Sequence, residues 1–266
     1  MFMDTKLLKE KFSLLGARVM LTNDVPRFRS EASFVIDIAS DRKGEYFDIR
    51  IARDRIVQIE PLDVRPDLRH LLLFNRVDRE KFLCGHDERH WFVAAVPGRS
   101  ASTVRTAMDA LKPAVVRQVE SMKQLKTRAR FRRKNEAFIR QGEWFFLPSP
   151  RLRVTELMIF HNEPISRGAG SKPHMCEWVY RSGGETVYVS RQRPDGITAF
   201  QYERLLESSP EAKNWTWRIM RRNARVFARG RVWHPDHKTI HLTGWHEVFM
   251  NNEFQARSSR FVAFLD

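Results

Sequence analysis

Cysteine is scarce in this sequence. Cys84 and Cys176 are its only thiols, they fall in different halves of the chain, and no set of closely spaced cysteines outlines a disulfide framework. The expected setting is therefore reducing and cytoplasmic. Long apolar runs are missing too. No window approaches 18 apolar residues, so no membrane-crossing helix is expected. The opening MFMDTKLLKEKFSLLG has neither the continuous apolar stretch nor the cleavage signal of a secretory leader. Neither end carries a long basic segment with a clean apolar face, so a membrane is not an expected partner. There is no repeat of fixed period and no low-complexity tract. The common catalytic signatures, GxSxG, HExxH, a kinase set or paired CxxC motifs, do not occur.

Acidic residues are the other shortage. Against 47 Lys and Arg stand 32 Asp and Glu, a formal charge of +15. Such an excess steers polyanions toward the chain and fits the electrostatic footprint of a nucleic-acid binder, with an acidic protein partner as the plainer alternative. The hydrophobic share is 42% and the aromatic share 11%, enough apolar surface to offset the ordering entropy of a folded core. A length of 266 residues suits one large domain or two smaller ones.

Periodicity sets out the elements. TKLLKEKFSLLG repeats its apolar residues at helical spacing and stops at Gly16. SFVIDIA and EYFDIRIA flank the turn sequence DRKG, and KFLC and HWFVAAV flank GHDER, so residues 30–97 read as antiparallel hairpins. From Arg99 to Arg140 the spacing predicts helix, with Ser100 or Ser102 as cap and Pro113 kinking it or starting a second helix. Beyond that, EWFFL, ELMIF and TVYVS read as strands, 174–181 and 197–207 as helices, and RVFARGRVWHPDHKTIHLTGWHEVFM as strand-rich. The expected fold is α+β: a β-rich N-terminal unit with a leading helix (1–97), a central basic helical connector (98–141) and an α+β C-terminal unit (142–266).

Three basic features point to phosphate. On a helix, Lys123, Lys126, Arg130 and Arg133 share one row, Arg128 and Arg132 a neighbouring one, and Lys134 adds to the cluster. Like charges so spaced repel, at a cost that bound phosphates would relieve. The alternative is a solvated connector with snorkelling stems. As a strand, ARVFARGRVW puts Arg225, Phe227, Arg229 and Arg231 on one face, a pattern suited to bases and their phosphates, or else to Phe227 packed beneath an exposed Arg ladder. Finally, Arg167, Gly168, Gly170, Ser171 and Lys172 precede an expected helix whose free N–H groups could hold an anion, although the spacing is not that of a Walker A loop.

The histidines cluster in turns. GHDERHW holds His86 and His90, and HPDH holds His234 and His237. Brought together, these four are the candidate catalytic set, since histidine turns with a nearby carboxylate can hold a divalent ion for phosphodiester hydrolysis. Ordinary turn chemistry accounts for the same residues, with Pro and Asp in the middle of HPDH. No metal ligand is assigned and no cofactor is identified from the sequence; a divalent metal is expected only with a nuclease function. The leading expectation is a nucleic-acid-binding protein, RNA or single strands slightly ahead of duplex DNA. Alternatives are a metal-assisted nuclease or other nucleic-acid-processing enzyme, and a structural component of a ribonucleoprotein or protein assembly.

Overall fold

The computed structural model of the chain describes residues 4–23, 34–52, 57–166 and 172–253. Sixteen strands and five α-helices are found among these residues, and the fold is mixed α+β, mostly sheet. Two compact units appear where the sequence suggests three. Described residues up to Arg132, with Asn251 to Glu253, form the first, and Arg133 to Met250 the second. The expected central connector is therefore not a separate part: its helices belong to the N-terminal unit.

The first unit begins with α1 (Thr5–Leu14), capped by the Asp4 carboxylate, which accepts from the Leu7 N–H at 2.9 Å. Gly16 comes next in the left-handed region (φ 74°), which ends the helix. Strands β1 (Val19–Thr22), β2 (Phe34–Asp41) and β3 (Gly44–Ile51) form one sheet in the order β1-β3-β2, with β1 parallel to β3. Strands β4 (Ile59–Arg65), β5 (His70–Asn75), β6 (Glu80–Asp87) and β7 (His90–Ala95) form an antiparallel meander. The hairpins expected at DRKG and GHDER are both present.

Alternation along β5 shows why this meander is central. Leu71 and Leu73 face Phe12 of α1, Phe47 and Phe82, while Leu72 faces the opposite way, into a cluster with Leu83, Val104 and Ala107. The apolar run LLL is thus buried on both faces of one strand.

The second cluster is covered by α2 (Val104–Leu111), whose capping box is built by Thr103 and Thr106 rather than by Ser100 or Ser102. Pro113 starts a second helix, α3 (Ala114–Met122). Past Met122 the expected continuous helix does not form. Gln124 takes a positive φ of 50°, and α4 (Thr127–Arg130) is a single turn that begins after Lys126. The i,i+3/i+4 row of Lys123, Lys126, Arg130 and Arg133 therefore does not exist as a helix face.

In the second unit, β8 (Ile139–Gln141), β9 (Trp144–Pro148), β10 (Phe160–Ile165) and β11 (His174–Ser182) precede a smaller sheet. The segment 174–181, expected as helix, is strand. β12 (Glu185–Ser190) and β13 (Arg193–Thr198) lead into α5 (Ala199–Ser208), the helix expected near 197–207, and then β14 (Arg218–Arg222). β15 (Arg225–His234) and β16 (His237–Met250) form a long hairpin. The main sheet has the order β10-β11-β15-β16-β9-β8, and the small one β13-β12-β14. The core of the unit joins Trp144, Phe146, Cys176, Val179, Val226, Ala228, Val232, Leu242 and Val248.

Candidate functional site

The HPDH turn is the tip of the β15–β16 hairpin, with His234 paired to His237 across it. On the other side of β15 runs β11, where Met175 pairs with Trp233, and this register sets His174 beside His234. The result is a stack of three imidazoles. Ring centroids lie 4.2 Å apart for His174–His234, 5.3 Å for His174–His237 and 4.9 Å for His234–His237. One nitrogen from each ring lies within 4.8 Å of the others.

The β8–β9 turn is drawn onto this tip. The Gln141 side-chain amide donates to the Val232 carbonyl at 3.2 Å and to the Lys238 carbonyl at 2.7 Å, fastening the turn to both strands of the hairpin. Gly142, with φ 56°, then lies against the rings. A Cβ there would fall 2.7 Å from His237 Nε2 and 3.2 Å from His174 Nε2. Only glycine suits both the backbone conformation and the space.

His174 is 2% exposed, and neither ring nitrogen has a hydrogen-bond partner. A buried polar group left so costs about 1–3 kcal/mol. Burial, reinforced by His234 and His237, pushes its pKa down to about 3, so the ring is neutral at physiological pH. His234 Nδ1 accepts from the Asp236 N–H at 3.1 Å. The Asp236 carboxylate is held by Lys172 Nζ, 2.9 Å from each oxygen. Cys176 points into the apolar core, and burial pushes its thiol up to about 12.

The other two histidines of the candidate catalytic set belong to the first unit. His86 packs edge-on to Trp91 at 4.8 Å, and His90 Nδ1 contacts Glu45 Oε1 at 2.5 Å. Partial burial and then the Arg69 charge lower the pKa of His86.

The basic features differ in how far their charge is already matched. On the basic stretch, Arg130 turns inward: its Nε donates to Glu120 Oε2 at 3.2 Å, and Glu120 is buried against Lys112. Lys123, Lys126, Arg128, Arg132 and Lys134 are exposed, and their side chains have no partner among the described residues. Arg133 and Lys134 already belong to the second unit, where the Arg140 N–H donates to the Arg133 carbonyl at 2.6 Å and Lys134 bridges to Ile139.

On β15, Arg225 makes a two-pronged ion pair with Glu247, both bonds 2.7 Å, and Arg231 pairs with Glu177 at 3.4 Å. The Arg229 guanidinium lies between Trp178 and Trp245, 4.7 and 5.0 Å from their ring centres. Phe227 is only 4% exposed, beneath Arg225 and beside Tyr180.

The glycine loop at 167–171, including Arg167, lies outside the described residues. Beyond Lys172 the chain enters strand β11, so no helix N-terminus stands there to hold an anion. No protein-family model matches the chain, and neither a curated protein nor a solved structure shows significant similarity to it.

Proposed function

We propose that the chain binds nucleic acid through its phosphates, with Lys123, Lys126, Arg128 and Arg132 as the principal contacts and Lys134 next to them in sequence. The observation that carries this reading is the contrast within one short segment. Arg130 is committed to a buried carboxylate, while Lys123, Lys126, Arg128 and Arg132 are exposed and have no acid to neutralise them among the described residues. Unmatched charge of this kind gains from counterion release when it meets a phosphate chain. The arginines of β15 contribute less, because Arg225 and Arg231 already face Glu247 and Glu177.

A slight preference for RNA or single strands draws support from β14. There Arg218 and Arg221 are exposed, and the half-buried Trp215 and Trp217 stack at 5.6 Å just before the strand, an aromatic pair of the kind bases stack on.

Fluorescence anisotropy with labelled single-stranded RNA, single-stranded DNA and duplex DNA at low salt tests the proposal. Binding with RNA or single strands ahead of duplex is expected. No binding to any probe would overturn it and leave a component of a protein assembly as the remaining reading. A second reading, metal-assisted hydrolysis, draws on the histidine cluster of the second unit. It requires a shortened product in the same mixtures, lost on adding chelator.

A further inference from the structure

We propose that His174, His234 and His237 bind one divalent late first-row transition ion, zinc foremost. The site is independent of nucleic-acid binding and belongs wholly to the second unit.

Three lines converge on it. The first is donor chemistry. Imidazole nitrogens suit zinc, cobalt, nickel and copper, whereas magnesium and calcium call for oxygen ligands. Asp236, in the same turn, is already engaged by Lys172, and the Cys176 side chain is buried in the apolar core.

The second line is the buried ring. His174 holds two unpartnered nitrogens at 2% exposure, and a coordinated ion satisfies one of them.

The third is the space. Nε2 of His174 and of His237 both border the volume that a side chain at residue 142 would fill, and glycine leaves it open. Gln141 fixes that glycine in place through two carbonyls of the hairpin that carries His234 and His237.

The donor nitrogens are already gathered in one place. Zinc–nitrogen bonds of about 2.0–2.1 Å at tetrahedral angles set ligand nitrogens about 3.3 Å apart. The three nitrogens here lie within 4.8 Å of one another, and the stacked rings must turn so that their in-plane lone pairs converge on one ion. If His234 ligates through Nδ1, the metal bond replaces the 3.1 Å hydrogen bond from Asp236. Three protein ligands leave a fourth position, and His234 and His237 are only half buried, so solvent water or an anionic oxygen can take it.

The test uses the full chain, stripped with chelator and dialysed. Zn2+ binding is measured by calorimetry and by metal analysis after desalting, and Co2+ replaces it for a visible spectrum. Wild type and His241→Ala, an exposed histidine further along β16, are expected to hold one ion each, with a tetrahedral cobalt spectrum. His237→Ala and His237→Gln are expected to lose at least about 100-fold in affinity, with circular dichroism confirming that they fold.

No retained zinc in the wild type overturns the proposal, and so does equal binding by wild type and the folded His237 variants. If neither His237 variant folds, the wild-type cobalt spectrum decides. Tetrahedral bands support the site, and an octahedral, solvent-like spectrum overturns it.

Discussion

Lys112 offers the sharpest test of how the basic stretch is held. It lies at the end of α2 and is 4% exposed, beside Glu120 at 1%. Its ammonium directs N–H groups to Asp109 Oδ1 at 2.9 Å, Glu120 Oε1 at 2.9 Å and the Arg130 carbonyl at 3.0 Å, with Phe131 at 4.7 Å. Arg130 Nε adds a second cation to Glu120. Two cations and two carboxylates balance, and the last acceptor belongs to α4, so this network ties the exposed cations to the helices behind them.

Lys112→Met keeps most of the volume but leaves Glu120 buried with only the half-exposed Arg130. Removing one partner of such a pair costs about 3–5 kcal/mol. Lys112→Met/Glu120→Leu removes both charges and should lie within about 1–2 kcal/mol of wild type, since a buried pair replaced by apolar residues is often near neutral.

Hydrogen exchange on peptides covering α2 and α3 reads this locally, which matters in a chain of two units. The single variant should lose at least about 100-fold in protection, from about 3 kcal/mol at 1.4 kcal/mol per tenfold, and the double variant should recover most of it. A single variant within about 1 kcal/mol of wild type, or a double variant worse than the single, would refute the reasoning.

The second unit and the first sheet carry further expected outcomes. Gly142→Ala forces a Cβ into the left-handed region and against His237 Nε2, so it should destabilise the second unit by about 1–2 kcal/mol in urea melts and weaken zinc binding together. Zinc at about 100 times its dissociation constant should stabilise the chain by about 2.7 kcal/mol, seen as a raised Tm that chelator reverses. The Arg18 guanidinium holds the Asp41 carboxyl down at about 2, with bonds of 2.9 and 2.7 Å. The folded value lies below the unfolded one, so this pair's contribution is present above about pH 4 and is lost as the pH falls through about 2. An NMR carboxyl titration should show that midpoint, and Arg18→Met should return it toward the usual value.

Much of the fold is legible in local pattern. The helix before Gly16, the hairpins at DRKG and GHDER, the break at Pro113 and the turn at HPDH all rest on short-range chemistry that tertiary contacts reinforce. Two segments depart from their local pattern for identifiable reasons. In β11 a register shift between Cys176 and Trp178 places the buried residues at 174, 176 and 179, and the three-residue step imitates a helix. In the basic stretch, residues after Leu125 are so polar that no apolar period marks where α3 stops, and Gln124's positive φ has no signal in an ordinary Gln. The histidine cluster is half legible. His234 and His237 flank the two central residues of one turn, but His174 is distant in sequence, and only the pairing of β11 with β15 brings it alongside. The ion pairs that neutralise Arg225 and Arg231 join different strands, so the Arg-rich pattern alone overstates its free charge.

The central claim is a phosphate surface at residues 123–132, and the salt dependence of binding tests it most directly. The variant Lys126→Glu/Arg128→Glu/Arg132→Glu spares Arg130, whose replacement by an acid would put a carboxylate beside buried Glu120. If each cation meets one phosphate, the slope of log K against log salt should become shallower by about 2–3, with affinity for RNA, single-stranded DNA and duplex falling together. An unchanged slope in a folded variant would contradict the account, leaving these cations as the solvated side of a connecting segment.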